Sequence, residues 1–299
     1  MSLSLAPSLR TAIAAGVALY LCCASAVAEP ALWVAKGPNA TVYLFGTIHV
    51  LRQGQAWETP AIAQALASSR ALWLEVTDMD DQGERQTLVS QLGLDATRPL
   101  SSQLTHADLK RLDAAAKSVG MPDGEKTLET MRPWLAAIVL TGGLVERAGY
   151  DSESGIDRRL LHDDATVGKP VHGFETMDQQ LHFLADVPPP LELDMLKSML
   201  RDFDKGSAEL DALVDMWSRG DEAAATRYVV KEEKNSFPAL YRVLFVERNA
   251  AWADKIAAMV AGTGVSFVAV GFLHFAGPDN LQHALAQRGV RVERVAATP

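Results

Sequence analysis

Two short, mostly apolar runs stand near the start of the chain, LWVAK (32–36) and TVYLF (41–45), on either side of a polar Gly-Pro-Asn break. Runs of this length and composition mark strands, and the Gly and Pro between them make the pair a hairpin. TPAIAQALASSR (59–70) then changes to a helical period, and ALWLEVTD (71–78) returns to a short β-rich run. Strand, loop, helix, strand over 41–78 reads as a parallel βαβ unit. Near the other end, VSFVAV (265–270) is a continuous apolar run, GPDNLQHALAQRG (277–289) is helical, and VRVERV (290–295) alternates.

The middle of the chain repeats on a helical period. THADLKRLDAAAKSVG (105–120) opens on a capping threonine and closes on glycine. TLETMRPWLAAIVLTGGLVERAG (127–149) has an apolar core too short to cross a membrane and flanked by charge, so it reads as a buried helix. SGIDRRLLHDDA (154–165) is a further helix, and KPVHGFE (169–175) a strand. Residues 187–262 are again helical, ending in a long helix over 237–262 with glycine at its C-terminus. The pattern predicts an α/β fold with one central mixed, mostly parallel sheet, built from the hairpin and the strands at 71–76, 170–174, 265–270 and 290–295. Helical insertions at about 84–150 and 188–245 form a cap over it, and no low-complexity linker divides the chain.

The first 28 residues change the picture. After Arg10 runs an uncharged apolar stretch that closes in Ala26-Val27-Ala28. This is the form of a cleaved secretory signal peptide, and the A-x-A ending favours it over an uncleaved anchor. Leu19-Tyr20-Leu21 before Cys22 and Cys23 is too bulky for lipoprotein processing. Both cysteines leave with the leader, so the mature chain, 29–299, has no thiol or disulfide chemistry. A periplasmic or secreted protein is expected, with no stable membrane span after cleavage. Net charge is −9 with no dense basic cluster, which argues against nucleic-acid binding. Nothing in the residues sets an oligomeric state.

The chemistry is expected at strand ends. In open α/β sheets, ligands bind beyond the carboxyl ends of parallel strands. Gly46-x-x-His49 and Gly271-x-x-His274 each follow an apolar strand. Glycine leaves room beside the strand end, and if the two strands are neighbours the imidazoles converge as a metal-ligand pair. Singly, each motif reads equally as a histidine satisfying a local backbone group; the repetition raises the functional reading. Glu75 and Glu175 end apolar strands, where a charge must be paired or ligating. Arg248 is either an ordinary helix-face cation, a partner for Glu75, or a group that steadies an oxyanion. Asp157, one turn from Glu153, could serve as a helix N-terminal charge. His172 is retained as a supporting residue for Glu175. His106 and His283 lie in polar helical patterns, His182 is expected to pack at a helix surface, and His162 stands near a helix end, where a cation is favourable.

LFGTIHVL, LWLEVTD, MRPW, SGIDRRLL, GKPVHGFET, LFVERNAAWADKI and VAVGFLHFAGPDNLQHALAQRGVRVERV, in that order, resemble the TraB/PrgY/GumN family, relatives of the Tiki-type proteases. The resemblance runs from about Leu32 to Val295. It implies a fold shared with erythromycin-esterase-like and ChaN-like proteins, made of two related halves around one sheet, and a metal-dependent hydrolase site. The family's paired motifs are matched by Gly46/His49 and Gly271/His274, its acidic positions by Glu75 and Glu175, and its Glu-Arg-Asn triplet by Glu247, Arg248 and Asn249. Phe272 and Leu273 depart from the small residue usual before the second histidine and narrow the site. The expectation is therefore an exported metal-dependent hydrolase, a peptidase acting on a peptide or other small extracytoplasmic substrate. His49, His274 and Glu175 would hold Zn, Mn, Fe or Co. Glu75 and Arg248 would carry the catalysis, with Gly46, Gly271, Asn249, Asp157 and His172 in support. The alternative is a non-catalytic envelope binding protein for a peptide, haem or metal, or an accessory factor of exopolysaccharide production.

Overall fold

A computed structural model describes residues 29–296. The leader expected at 1–28 lies outside the described residues. Six strands make one sheet: β1 (Leu32–Lys36), β2 (Ala40–Thr47), β3 (Ala71–Leu74), β4 (Val171–Gly173), β5 (Gly264–Gly271) and β6 (Val292–Arg294). Their order is β4-β3-β5-β2-β1-β6. β2, β5, β3 and β4 run parallel to one another, and β1 runs antiparallel to both β2 and β6. The fold is α/β with a mixed, mostly parallel sheet, as the pattern predicts.

One element departs from the simple βαβ reading. β5, from the far end of the chain, inserts between β2 and β3 and pairs with both. Its residues Phe267, Val268, Ala269 and Val270 are fully buried. A continuous apolar run is what a strand covered on both faces requires, and the centre of a parallel sheet is that place.

Alternation along the strands sorts two cores. Val42 and Leu44 face one side, where α9 (Arg248–Ala261) and α10 (Leu281–Ala286) pack through Trp252, Ile256, Leu281 and Leu285. Phe45, Phe267, Leu72 and Leu74 face the other, against α1 (Pro60–Ser68), α5 (Ile156–Val167) and α8 (Gly206–Ser218). Between β3 and β4 come α2 (Gln82–Gly93), α3 (His106–Ser118), α4 (Pro133–Arg147) and α5; between β4 and β5 come α6 (Met177–Ala185), α7 (Pro189–Asp202), α8 and α9. α3, α4 and α7 share a third core through Leu112, Leu140 and Leu196. Arg132, from the MRPW segment, ties it down: it donates to the carbonyls of Leu92 and Ala185 and pairs with Glu192, which is fully buried.

The expected long helix over 237–262 is interrupted. Residues Arg242–Glu247 form a π-helical segment, and the α-helical period resumes at Arg248. Arg248, Asn249 and Trp252, in the first turns after this wider segment, are buried. No helix of the described residues is long and apolar enough to cross a membrane.

Candidate functional site

Four adjacent parallel strands end at one edge of the sheet, and each delivers an ionisable side chain within a few residues of its end. His49 follows β2, His274 lies in the 3₁₀ turn after β5, Glu75 follows β3 and Glu175 follows β4. The register of β2 against β5 sets Gly46 beside Val270 and Thr47 beside Gly271, so the two Gly-x-x-His turns start one residue out of step at the same edge.

The two glycines do different work. A Cβ on Gly46 would press on Phe272 Cβ and Cα, at 2.9 and 3.0 Å. That close approach seats one motif on the other. A Cβ on Gly271 would stand 3.2 Å from Glu75 Oε1 and 3.6 Å from both His49 Nε2 and His274 Cδ2. Gly271 is therefore the floor where the two histidines and Glu75 meet. Gly46→Ala is expected to destabilise the fold by about 1–3 kcal/mol through overpacking. Gly271→Ala is expected to fold near wild-type stability while obstructing the site. Urea denaturation beside a turnover or ligand-binding assay separates the two outcomes.

His49 is exposed, with its Nδ1–H donating to Asp157 Oδ2 at 2.7 Å. A carboxylate only accepts, so Nδ1 carries a proton in either charge state, and in the neutral ring Nε2 keeps its lone pair. Asp157 is buried and also accepts from Thr47 Oγ1 at 2.7 Å. The Asp157 charge, and the hydrogen bond it accepts, raise the His49 pKa to about 9. The loop before α5 is pressed onto the histidine: Ile156 N–H donates to Ile48 O, and a Cβ on Gly155 would meet His49 O at 2.1 Å.

His274 is held in the opposite electrical state. Asn249 donates from Nδ2 to Asp279 O, so its Oδ1 accepts from His274 Nδ1–H at 2.8 Å. His274 Nε2 then accepts from Arg248 Nη1 at 3.3 Å. Burial first, and the Arg248 charge second, push its pKa down to about 3. One imidazole is thus poised to carry a proton and the other is kept neutral.

Arg248 is the hub. Its guanidinium donates to Glu75 Oε2 at 2.5 Å and to Glu175 Oε2 at 2.9 Å, and it lies over the Trp252 ring at 4.6 Å. Glu75 Oε1 accepts from the Gly271 amide at 2.6 Å. Gln180 Nε2, from α6, donates to both carboxylates at 3.1 Å, and Trp252 Nε1 donates to Glu175 Oε1 at 2.8 Å. Burial would raise the Glu75 pKa, but Arg248, the histidines and the amide hold it down at about 2.

This arrangement does not fit the expected metal. Every oxygen of Glu175 and Glu75 is engaged by a hydrogen-bond donor, and a guanidinium already faces the lone pair of His274. A second cation among these groups would be repelled by Arg248. Among the described residues, no group of three or more His, Cys, Asp or Glu is disposed to hold a metal ion. Glu175 is an ion-pair partner here.

Of the residues singled out in the sequence, His49, Glu75, Glu175, Asp157, Arg248, Asn249, His274, Gly46 and Gly271 come together. His172 does not: it is exposed on β4, its ring tilted against Trp73 at 4.6 Å between ring centroids. Glu153 is an exposed partner of Arg158. Thr47, Gly155, Gln180 and Trp252 were not foreseen. Only Thr47 had a signal, being an uncharged polar residue in an otherwise apolar strand end.

Two cavities meet this knot. His49, Glu75 and Asp157 line a cleft of about 310 Å³ with Val76, Met79 and Arg85. On the far side, Glu175, Arg248 and Trp252 border a cavity of about 820 Å³. α6 divides them, giving Met177 and Gln180 to the first and Gln179 and Phe183 to the second.

Comparison with known proteins agrees with the motif order. The model of the TraB/PrgY/gumN family matches residues 31–294. A protein of Escherichia coli K12, named as uncharacterized protein YbaP, is 27% identical over 256 residues, covering 86% of this chain and 92% of its own length. An uncharacterized protein of Treponema pallidum is 23% identical over 277 residues, covering 87% and 81%. No solved structure matches the chain.

Proposed function

The chain belongs to the TraB/PrgY/gumN family, and on that premise we propose that it is a hydrolase whose cleft beside His49 cleaves the carbonyl linkage of a peptide-like substrate. The observation that carries this reading is the His49–Asp157 pair, with its free Nε2 in the same cleft as the ionised Glu75. Nε2 takes a proton from water as the water oxygen bonds to the carbonyl carbon, Asp157 holds the ring orientation and stabilises the imidazolium, and the imidazolium gives that proton to the leaving nitrogen as the C–N bond breaks. Glu75, kept charged by Arg248, accepts the water's second hydrogen bond and aims it. Arg248 acts through Glu75, since it borders the other cavity.

No step is routed through a metal. The test is hydrolysis of a mixed peptide substrate by the mature chain before and after exhaustive chelation. Turnover that survives chelation supports the reading. Turnover that requires added Zn, Mn, Fe or Co overturns it and makes the imidazoles ligands. The pH profile is a second check. A base with a raised pKa is protonated at neutral pH, so kcat/KM is expected to climb between pH 7 and about 9. Asp157→Asn removes the charge that raises it, so the rise is expected at lower pH with a lower plateau. NMR titration of His49 follows the same shift directly.

A second reading, a non-catalytic binding protein, is favoured by the larger cavity. Phe174, Phe183, Leu191, Leu240, Val243 and Trp252 give it an apolar wall suited to an apolar ligand. Stoichiometric capture without turnover is its signature. Export follows from the leader pattern of residues 1–28, and is tested by N-terminal sequencing, expected to begin at Glu29.

A further inference from the structure

The wall of the His49 cleft is unevenly charged. Two arginines line it, Arg85 from α2 and Arg158 from α5. Arg158 is neutralised twice, by Asp80 Oδ1 at 2.9 Å and by Glu153 at 3.2 Å. Arg85 meets no carboxylate among the described residues and has no hydrogen-bond partner for its guanidinium there. It is half-buried, and its neighbours in the cleft include Val76, Met79 and Met177. A guanidinium in a concave, partly apolar wall keeps its charge but loses much of its water, so its unspent donors favour a planar anion.

The cleft also limits what can enter. Its volume of about 310 Å³ is at the small end for ligand sites, enough for a short piece of chain. Past Met79, Arg85, Ser152 and Arg158 it opens into a more polar groove toward Asp80 and Glu153. The acidic far end disfavours an extended polyanion, while Arg85, the single unpaired cation of the cleft among the described residues, suits one carboxylate.

We propose that Arg85 is a specificity residue that binds a carboxylate of the substrate, placing the scissile carbonyl a short distance away, at His49. The substrate class is then a peptide with a carboxylate near the bond to be cut. That group is supplied either by the C-terminus or by an acidic side chain. This rests on the hydrolase reading for its purpose, and on the cleft alone for its binding.

Binding is measured by calorimetry on the mature His49→Ala chain, which holds the probes without turning them over. The probes are acetyl-tetraalanine with a free C-terminus, its C-terminal amide, and the amide with glutamate replacing one alanine. The free acid is expected to bind about tenfold or more tighter than the amide. Adding Arg85→Gln is expected to abolish that preference, and Arg85→Lys to keep part of it. Restored affinity in the glutamate-containing amide assigns the carboxylate to a side chain; none assigns it to the chain end. Equal binding of acid and amide, a preference that survives Arg85→Gln, or no binding of any probe overturns the proposal. The Arg85 guanidinium has no partner among the described residues, so its variants are expected to fold, and circular dichroism verifies this. Carboxylate preference without turnover by wild type sinks the hydrolase reading and leaves the subsite standing. Turnover without the preference does the reverse.

Discussion

Arg248→Met is expected to lower the stability of the folded chain by about 3–5 kcal/mol at pH 7, because it leaves two carboxylates with no cation in a buried site. Glu75 and Arg248 are both almost wholly buried, and Glu175 shares the same guanidinium. Methionine fills similar space, so the loss reports the charges. Adding Glu75→Gln and Glu175→Gln to the variant is expected to restore most of the difference, since neutral amides in the interior need no counter-charge. The pH dependence has a defined sign. The folded-state pKa of Glu75 is held at about 2, below its ordinary 4.5. Its contribution is fully present above about pH 4.5 and is lost as pH falls through about 2. Without Arg248, burial acts on Glu75 unopposed and the carboxyl takes up its proton at higher pH. The gap between wild type and variant is therefore expected to narrow steadily from pH 5 downwards. Urea unfolding across that range measures it. A variant as stable as wild type at pH 7 would mean that the guanidinium is not what keeps these carboxylates buried.

His49→Ala is expected to reduce kcat by about 10²–10⁴ while leaving stability almost unchanged. The split follows from exposure: the His49 side chain is 66% exposed, whereas Asp157, which orients it, is 10% exposed. Little packing is lost with the ring, and Thr47 still satisfies one oxygen of Asp157. Asp157→Asn is expected to cost a similar part of the rate, because an amide can orient the ring in the wrong tautomer. Its KM is expected to change little, since Asp157 holds the base and not the substrate. A His49 variant that keeps the wild-type rate, with a verified single product, would place the chemistry elsewhere, and the larger cavity beyond Arg248 becomes the place to look.

The contrast between the two histidines explains why the repeated motif is not a repeated function. Both follow Gly-x-x on neighbouring strands, yet one ring is exposed against an aspartate and the other is enclosed by Phe245, Trp252 and Arg248. The shared Gly-x-x-His spacing does not give the same backbone turn: β2 continues through Thr47 before His49, whereas a 3₁₀ turn over Phe272–Phe275 carries His274. The protonation state comes from what the rest of the chain brings alongside.

Strand periodicity was readable because a strand buries one face or two, and that requirement is written in consecutive residues: the hairpin at 32–47, the run at 71–74 and the run at 264–271 all carry it. So was the expectation that Glu75 needs a partner, since an apolar strand end cannot hold a lone carboxylate. The position of β5 between β2 and β3 was not readable, nor was the pairing of His49 with Asp157 or the grip of Gln180 and Trp252 on the carboxylates. These link positions far apart in the chain, and no local pattern records which distant residue will fill a given vacancy. The sequence alone determined which side chains would stand at the carboxyl ends of strands; the tertiary structure decided that a guanidinium, just after a π-helical turn, would sit among them. Periodicity follows from short-range sterics and burial, whereas charge compensation depends on which groups the completed packing excludes from water together.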